Sequence, residues 1–183
     1  MPKILSLTRF GNPILREKAR QLTPTEIQSA QIQSLIANMI HTLEKENYGV
    51  GIAAPQVGES IALSVIGIKP TPNRPKLDPF QTTMINPVIT ETYGELETKW
   101  EACVSCGEGK DLLYAKVPRF EKVKLSWLDE TGKSREEILG GFVAHVAQHE
   151  VDHLNGVLFV DRVEDATTYM MADEYQTRIV KSN

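Results

Sequence analysis

Apolar side chains recur along this chain with two different periods, and the places where the period changes mark its elements. In "TPTEIQSAQIQSLIANMIHTLEKENYG", Ile27, Leu35, Ile36, Met39, Ile40 and Leu43 fall at the spacing of one helix face. Thr23 can cap that helix, Pro24 suits its first position, Glu26 completes a capping box and Gly49 stops it. The spacing predicts one helix over 23–48. "IALSVIGI" (61–68) then reads as a strand, and the Pro-rich polar stretch 69–80 as a surface loop. "TTMINPVIT", "GELETKWEACVS" and "KVKLSWL" are further strand candidates, with "DETGK" a hairpin-like turn after the last. "GGFVAHVAQHEVDHLNG" returns to helical spacing, with Phe142, Val143, Val146 and Leu154 for the core and Asn155-Gly156 as its stop. Residues 164–180 carry a short terminal helix. Strands gathered between helices without strict alternation define an α+β chain.

Composition narrows the class. At 183 residues, the expectation is one domain over 1–183 that buries its core without staples. The formal charge of -4 argues against a nucleic-acid binder, which would carry a basic patch. No apolar run approaches the roughly 20 residues of a membrane span. The N-terminal stretch lacks a signal-like apolar core and reads as a turn plus a short helix. Two cysteines make no disulfide framework, so a reducing cytoplasm is the expected home.

The candidate chemistry lies in "QHEVDHLNG". His149 and His153 are four apart, on nearly the same helix face and about 6 Å along the axis. Both can reach one cation, and Glu150 can lean over its open side, which is the pattern of a hydrolytic metal site. A third ligand is needed. Phe159 stands where an extended metalloprotease pattern would place a third histidine. Glu164 and Glu174 remain downstream possibilities, as in a metallopeptidase. Upstream, "WEACVSCGEG" offers Cys103 and Cys106, and a thiolate suits a two-imidazole site better than a surface carboxylate. If both bound, the site would be closed and structural, in a non-catalytic protein. On a strand over 96–105, however, the two would point to opposite faces, so one cysteine and an open fourth position is the favoured reading. His145 continues the histidine row but lies roughly 12 Å from His153 along a straight helix, too far to share the ion. It reads as a packed histidine, and His41 as a helix-surface one. Asp152 reads as a residue that pairs with a neighbour or supports a ligand from behind.

Three ordered blocks in this chain resemble those of the peptide deformylase family: "GVGIAAPQVG" (49–58), "EACVS" (101–105) and "QHEVDHLNGVLFVDR" (148–162). The resemblance runs from about Leu7 to Arg162. It implies antiparallel sheets around a central helix carrying the His-Glu-x-x-His motif. It implies Cys103, His149 and His153 as ligands of one divalent metal, Fe2+ in the first place, with Zn2+, Ni2+ or Co2+ as alternatives. Glu150 would be the general acid/base, with Gln56 and the Val104 N–H stabilising the oxyanion. Val50, Gly51 and Ala102 would lie along the substrate backbone. The implied reaction is hydrolysis of the N-formyl group from formyl-methionyl nascent peptides, at the ribosome, with release of formate. Arg119 stands in the place of a family arginine that pairs with Glu101. Two departures bear on substrate fit: Ala102 replaces a family glycine, and the segment after Ser105 is longer and brings in Cys106.

Overall fold

The computed structural model describes residues 1–46, 49–70 and 77–181. The N-terminal helical region is two helices, α1 (Pro24–Ile27) and α2 (Ala30–Glu46), rather than one. Thr23 caps α1 as expected, its side chain accepting from Glu26 N–H while the Glu26 carboxylate accepts from Thr23 N–H. The break comes from a second cap: the Ser29 hydroxyl accepts the Ile32 N–H at 3.3 Å and starts the chain afresh. Residues 47 and 48, the predicted end of this helix, and 71–76 of the predicted loop lie outside the described residues.

The strands are β1 (Gly51–Ala53), β2 (Leu63–Ile68), β3 (Phe80–Ala102), β4 (Leu113–Leu128), β5 (Ser134–Gly140) and β6 (Met170–Met171). Among the described residues they form one antiparallel sheet in the order β1-β2-β3-β4-β5, with β6 on β4. Two predicted strands, over 82–90 and 94–105, are one continuous β3, and they merge through irregular register. Register shifts fall between Ile85 and Val88, Ile89 and Glu91, and Tyr93 and Leu96, where the ribbon bends and twists. The strand also stops short of the prediction, at Ala102. From Cys103 the chain turns into a 3-10 helix over Val104–Cys106. β4 begins nine residues before "KVKLSWL", inside the longer segment after Ser105.

The long helix α3 (Gly141–Leu154) crosses this sheet. Its packing explains the near-continuous apolar run of β2. Leu63 and Val65 face the α2 side with Ile36, Met39 and Leu43, whereas Ile66 and Ile68 face the α3 side with Val146, Ala147 and Val151. A strand covered on both faces needs apolar residues at every position, not alternate ones. α3 ends as predicted at Asn155-Gly156, with Gly156 at φ 72°. A Cβ there would run into the Arg16 carbonyl, so glycine is required both by its dihedral and by the N-terminal segment crossing it. The expected short terminal helix occupies the end of its stretch: a 3-10 turn over Ala166–Thr168 and β6 come first, then α4 (Ala172–Tyr175) runs on into a π-helical turn over Gln176–Val180.

Candidate metal centre

α3 brings His149 and His153 to the end of β3, where Cys103 sits at the strand-to-helix turn. His149 Nε2 and His153 Nε2 are 3.1 Å apart, and Cys103 Sγ lies 3.3 Å from His153 Nε2. All three donor atoms lie within 4.8 Å of one another. A tetrahedral ion with ordinary metal–nitrogen and metal–sulfur bonds would set these edges at about 3.3 and 3.6 Å, so the donor set fits a divalent cation with little movement. Glu164 and Glu174 are exposed and outside the cluster, and Glu174 pairs instead with Arg178. Cys106 is also outside it. The opposite-faces argument against Cys106 fails, because both cysteines sit on a turn, with Cys106 N–H donating to the Cys103 carbonyl at 2.8 Å. Cys106 nonetheless lies close enough for its thiol to raise that of Cys103.

A buried carboxylate orients one ligand. Glu101 Oε1 accepts from His149 Nδ1 at 2.6 Å, which leaves Nε2 to face the cluster with its lone pair. Glu101 is held in turn by Arg119, whose Nε and Nη2 donate to it at 3.1 and 2.9 Å. Arg119 also reaches Asp152, which Arg162 binds at 2.7 and 3.1 Å. Asp152 thus pairs with neighbours, as expected, and reaches His149 only through Arg119 and Glu101. Burial alone would raise the Glu101 carboxyl, but His149, His145 and Arg119 outweigh it and hold it well below the usual range. His145 lies 6% exposed with Nε2 2.8 Å from Glu101 Oε2, off the line of a good hydrogen bond. It is a packed histidine against this carboxylate, not a ligand. His41 is a half-buried residue of α2 away from the cluster. Burial drives His153 well below its ordinary value, into the neutral form that binds metals.

Glu150 is 2% exposed, and its Oε2 has no hydrogen-bond partner among the described residues. Burial raises its carboxyl to about 7, with Glu101 adding to the rise and His149 opposing it. Its other oxygen lies against Gly51, where a Cβ would collide with the carboxylate. The glycine-rich block is therefore a matter of room. After β1 the chain makes a 3-10 turn over Ala54–Val57, closed by Gly58 at φ 87°. That turn buries Gln56, whose Oε1 accepts the Ala53 N–H at 2.9 Å. This bond fixes the amide so that Nε2 donates to Cys103 Sγ and Ser105 Oγ, at 3.4 and 3.3 Å. Val50, Gly51, Gln56, Ala102, Val104 and Glu150 all line one cleft of about 500 Å³ beside the three donors.

The N-terminal segment is the part of the site that sequence reasoning missed. Thr8 N–H donates to the Gln56 carbonyl and Phe10 N–H to the Ser105 carbonyl, both at 2.7 Å, and Ala19 N–H caps Leu154 O at 2.9 Å. These are backbone bonds, so no side-chain pattern announces them.

Two imidazoles and a thiolate around an open side, with a buried carboxylate over it, define a metal-dependent hydrolase. The comparisons make this specific. The family model described as polypeptide deformylase matches residues 4–169. A peptide deformylase 2 of Nostoc sp. is 39% identical, over 99% of this chain and 98% of its own length. A class I type b peptide deformylase of Acinetobacter baumannii, solved with Met-Ala-Ser bound, is 35% identical. It superposes with a TM-score of 0.82, covering 89% of this chain and 100% of its own. The Thermotoga maritima enzyme is 34% identical, with a TM-score of 0.73, over 88% and 99% of the two chains. The chain belongs to the peptide deformylase family, metal-dependent amidases that remove the N-formyl group from nascent peptides.

Proposed function

We propose that Cys103, His149 and His153 hold one Fe2+ ion and that Glu150, Gln56 and the Val104 N–H carry out deformylation around it, in a reducing cytoplasm. The same donor set accommodates Zn2+, Ni2+ and Co2+. Held by these three residues, the ion would supply Lewis acidity and a water of lowered pKa, towards ~7. Glu150 takes the proton as that water attacks the formyl carbon, and returns it to the amine as the C–N bond breaks, leaving formate and a free N-terminus. The charge that grows on the formyl oxygen is met by Gln56 Nε2, pre-aimed by its bond to Ala53, and by the Val104 N–H. The peptide runs extended past Val50, Gly51 and Ala102, so backbone pairing gives affinity with little dependence on sequence. The substrates are formyl-methionyl chains met at the ribosome, with no sequence-specific contact to nucleic acid.

The observation that carries this reading is the buried, unpartnered Glu150 oxygen beside three converging donors in an open cleft. The test is formate release from N-formyl-Met-Ala-Ser by anaerobically prepared, iron-loaded protein. Glu150→Gln should keep one metal per chain and lose rate by ~10²-fold or more. Near-normal turnover of Glu150→Gln would remove the role.

A further inference from the structure

The two proposed oxyanion donors sit on separate turns, and three consecutive residues of the N-terminal segment hold both. One turn spans Ala54–Val57 and carries Gln56; the other spans Val104–Cys106 and carries the Val104 N–H. Thr8 N–H donates to the Gln56 carbonyl on the first, and Phe10 N–H to the Ser105 carbonyl on the second, each at 2.7 Å. Between them the Arg9 guanidinium forks. Its Nη1 donates to the Val104 carbonyl at 3.2 Å, and its Nη2 pairs with the Glu108 carboxylate. Cys106 N–H donates to the Cys103 carbonyl at 2.8 Å, so each carbonyl from Cys103 to Ser105 has a donor. Of these bonds only those of Arg9 come from a side chain.

Stability does not account for Arg9. Its side chain is 48% exposed and that of Glu108 58%, and an ion pair in that much water contributes little to folding. Substrate contact does not account for it either, because Arg9 is absent from the lining of the cleft that Val104 and Glu108 share. What the fork does is brace the turn. It ties the Val104 carbonyl to Glu108 across Gly107, whose φ of 133° is open to glycine and lacks the restraint of a Cβ. The Val104 N–H lies on the same residue as the carbonyl that Arg9 grips. We propose that Arg9 is a positioning residue for the oxyanion hole: it locks the Val104 turn in place relative to Gln56, so that both donors meet the formyl oxygen together. This rests on the deformylase reading and deepens it.

A donor aimed at developing charge acts in the transition state, so losing its alignment lowers kcat and leaves KM. Arg9→Ala in the iron-loaded protein should lower kcat on N-formyl-Met-Ala-Ser about tenfold. That is less than the ~10²–10³ for a donor removed outright, because the donor stays and loses only its fixed aim. KM, metal content and the Kd of the product Met-Ala-Ser, which has no formyl oxygen, should stay within about twofold. Tm should stay within about 2 °C, as for the loss of an exposed ion pair. Arg9→Lys separates position from charge. A point-like ammonium cannot span both partners as the planar fork does, so this variant should remain at least about fivefold slow. If Arg9→Ala does not fold, Arg9→Gln carries the same test. A kcat within about twofold of the unsubstituted protein, a fall carried by KM, metal loss or several degrees of Tm, or a full rate in Arg9→Lys overturns the inference. Failure of the unsubstituted protein to release formate from N-formyl-Met-Ala-Ser would instead overturn the deformylase reading on which it rests.

Discussion

Cys103 and Cys106 occupy the same turn, yet only one of them meets the histidines. Cys103 is 2% exposed and within reach of both rings, whereas Cys106 is half-buried and outside the cluster. The Cys106 thiol and burial together raise the Cys103 thiol well above its ordinary value, and a cation at Sγ reverses that by taking the thiolate. Cys103→Ser should therefore lose metal and activity, and Cys106→Ser should keep both, because Cys106 lies outside the donor cluster. Metal analysis of the two variants checks this; equal loss in both would mean a closed four-ligand site. Ala102 poses a steric question at the same scale. Its methyl lies in the cleft where the resemblance places a glycine, and misplacement of a reacting carbonyl is costly in rate. Ala102→Gly should raise kcat/KM on N-formyl-Met-Ala-Ser with metal content unchanged. A value that stays level or falls would show the methyl to be accommodated.

Elements were legible where one force decided them. The α3 motif helix and its stop at Gly156 follow from spacing and dihedral alone, and both stand. The errors fall where a side-chain bond or a bulge intervenes. Ser29 splits the first helix by capping Ile32, and the bulged ribbon hides the unity of β3 because each shift breaks the two-residue alternation. The ligand trio was legible only because three blocks resemble a family; nothing in the spacing of Cys103 chose it over Cys106. The β4–β5 hairpin rewards the local reading. Asp129 ties the "DETGK" turn together, its carboxylate accepting from Thr131 N–H, Thr131 Oγ1, Lys133 N–H and Arg135 Nε. Those bonds, with the Thr131 hydroxyl first, hold its carboxyl down at about 2 from 3.8. Asp129 is 7% exposed but sits in a shallow turn where water screens it, so Asp129→Ala should cost about 1–2 kcal/mol rather than the full value of the shift. The sign of the pH dependence follows from the depressed pKa. The stabilisation is complete above ~4, and it is lost as pH falls towards about 2. Denaturant melts of both proteins across that range should show the gap closing on acidification; a gap that widens would exclude the carboxylate as its source.

At the scale of the whole molecule, we infer that the fold does not depend on the metal. The core has two faces, one around α2 and one around α3, and β2 belongs to both. The N-terminal segment ties the Gln56 turn, the Ser105 turn and the end of α3 together through backbone hydrogen bonds. Loss of any one part therefore exposes the others, and we infer one cooperative domain over the chain. Of the metal centre's neighbours, Glu101, Arg119 and Asp152 are already mutually paired, so the cation is not needed to satisfy them. Binding then adds stability only by mass action, about 2.7 kcal/mol when free metal is a hundred times its dissociation constant. Chelation should abolish formate release and lower Tm by roughly 2–4 °C for each kcal/mol withdrawn, with one transition before and after and a near-unchanged far-ultraviolet dichroism spectrum. A structural site of the zinc-finger kind behaves otherwise, because its chain unfolds when the metal leaves. Loss of the folded spectrum on chelation would therefore reassign the centre from catalysis to scaffolding.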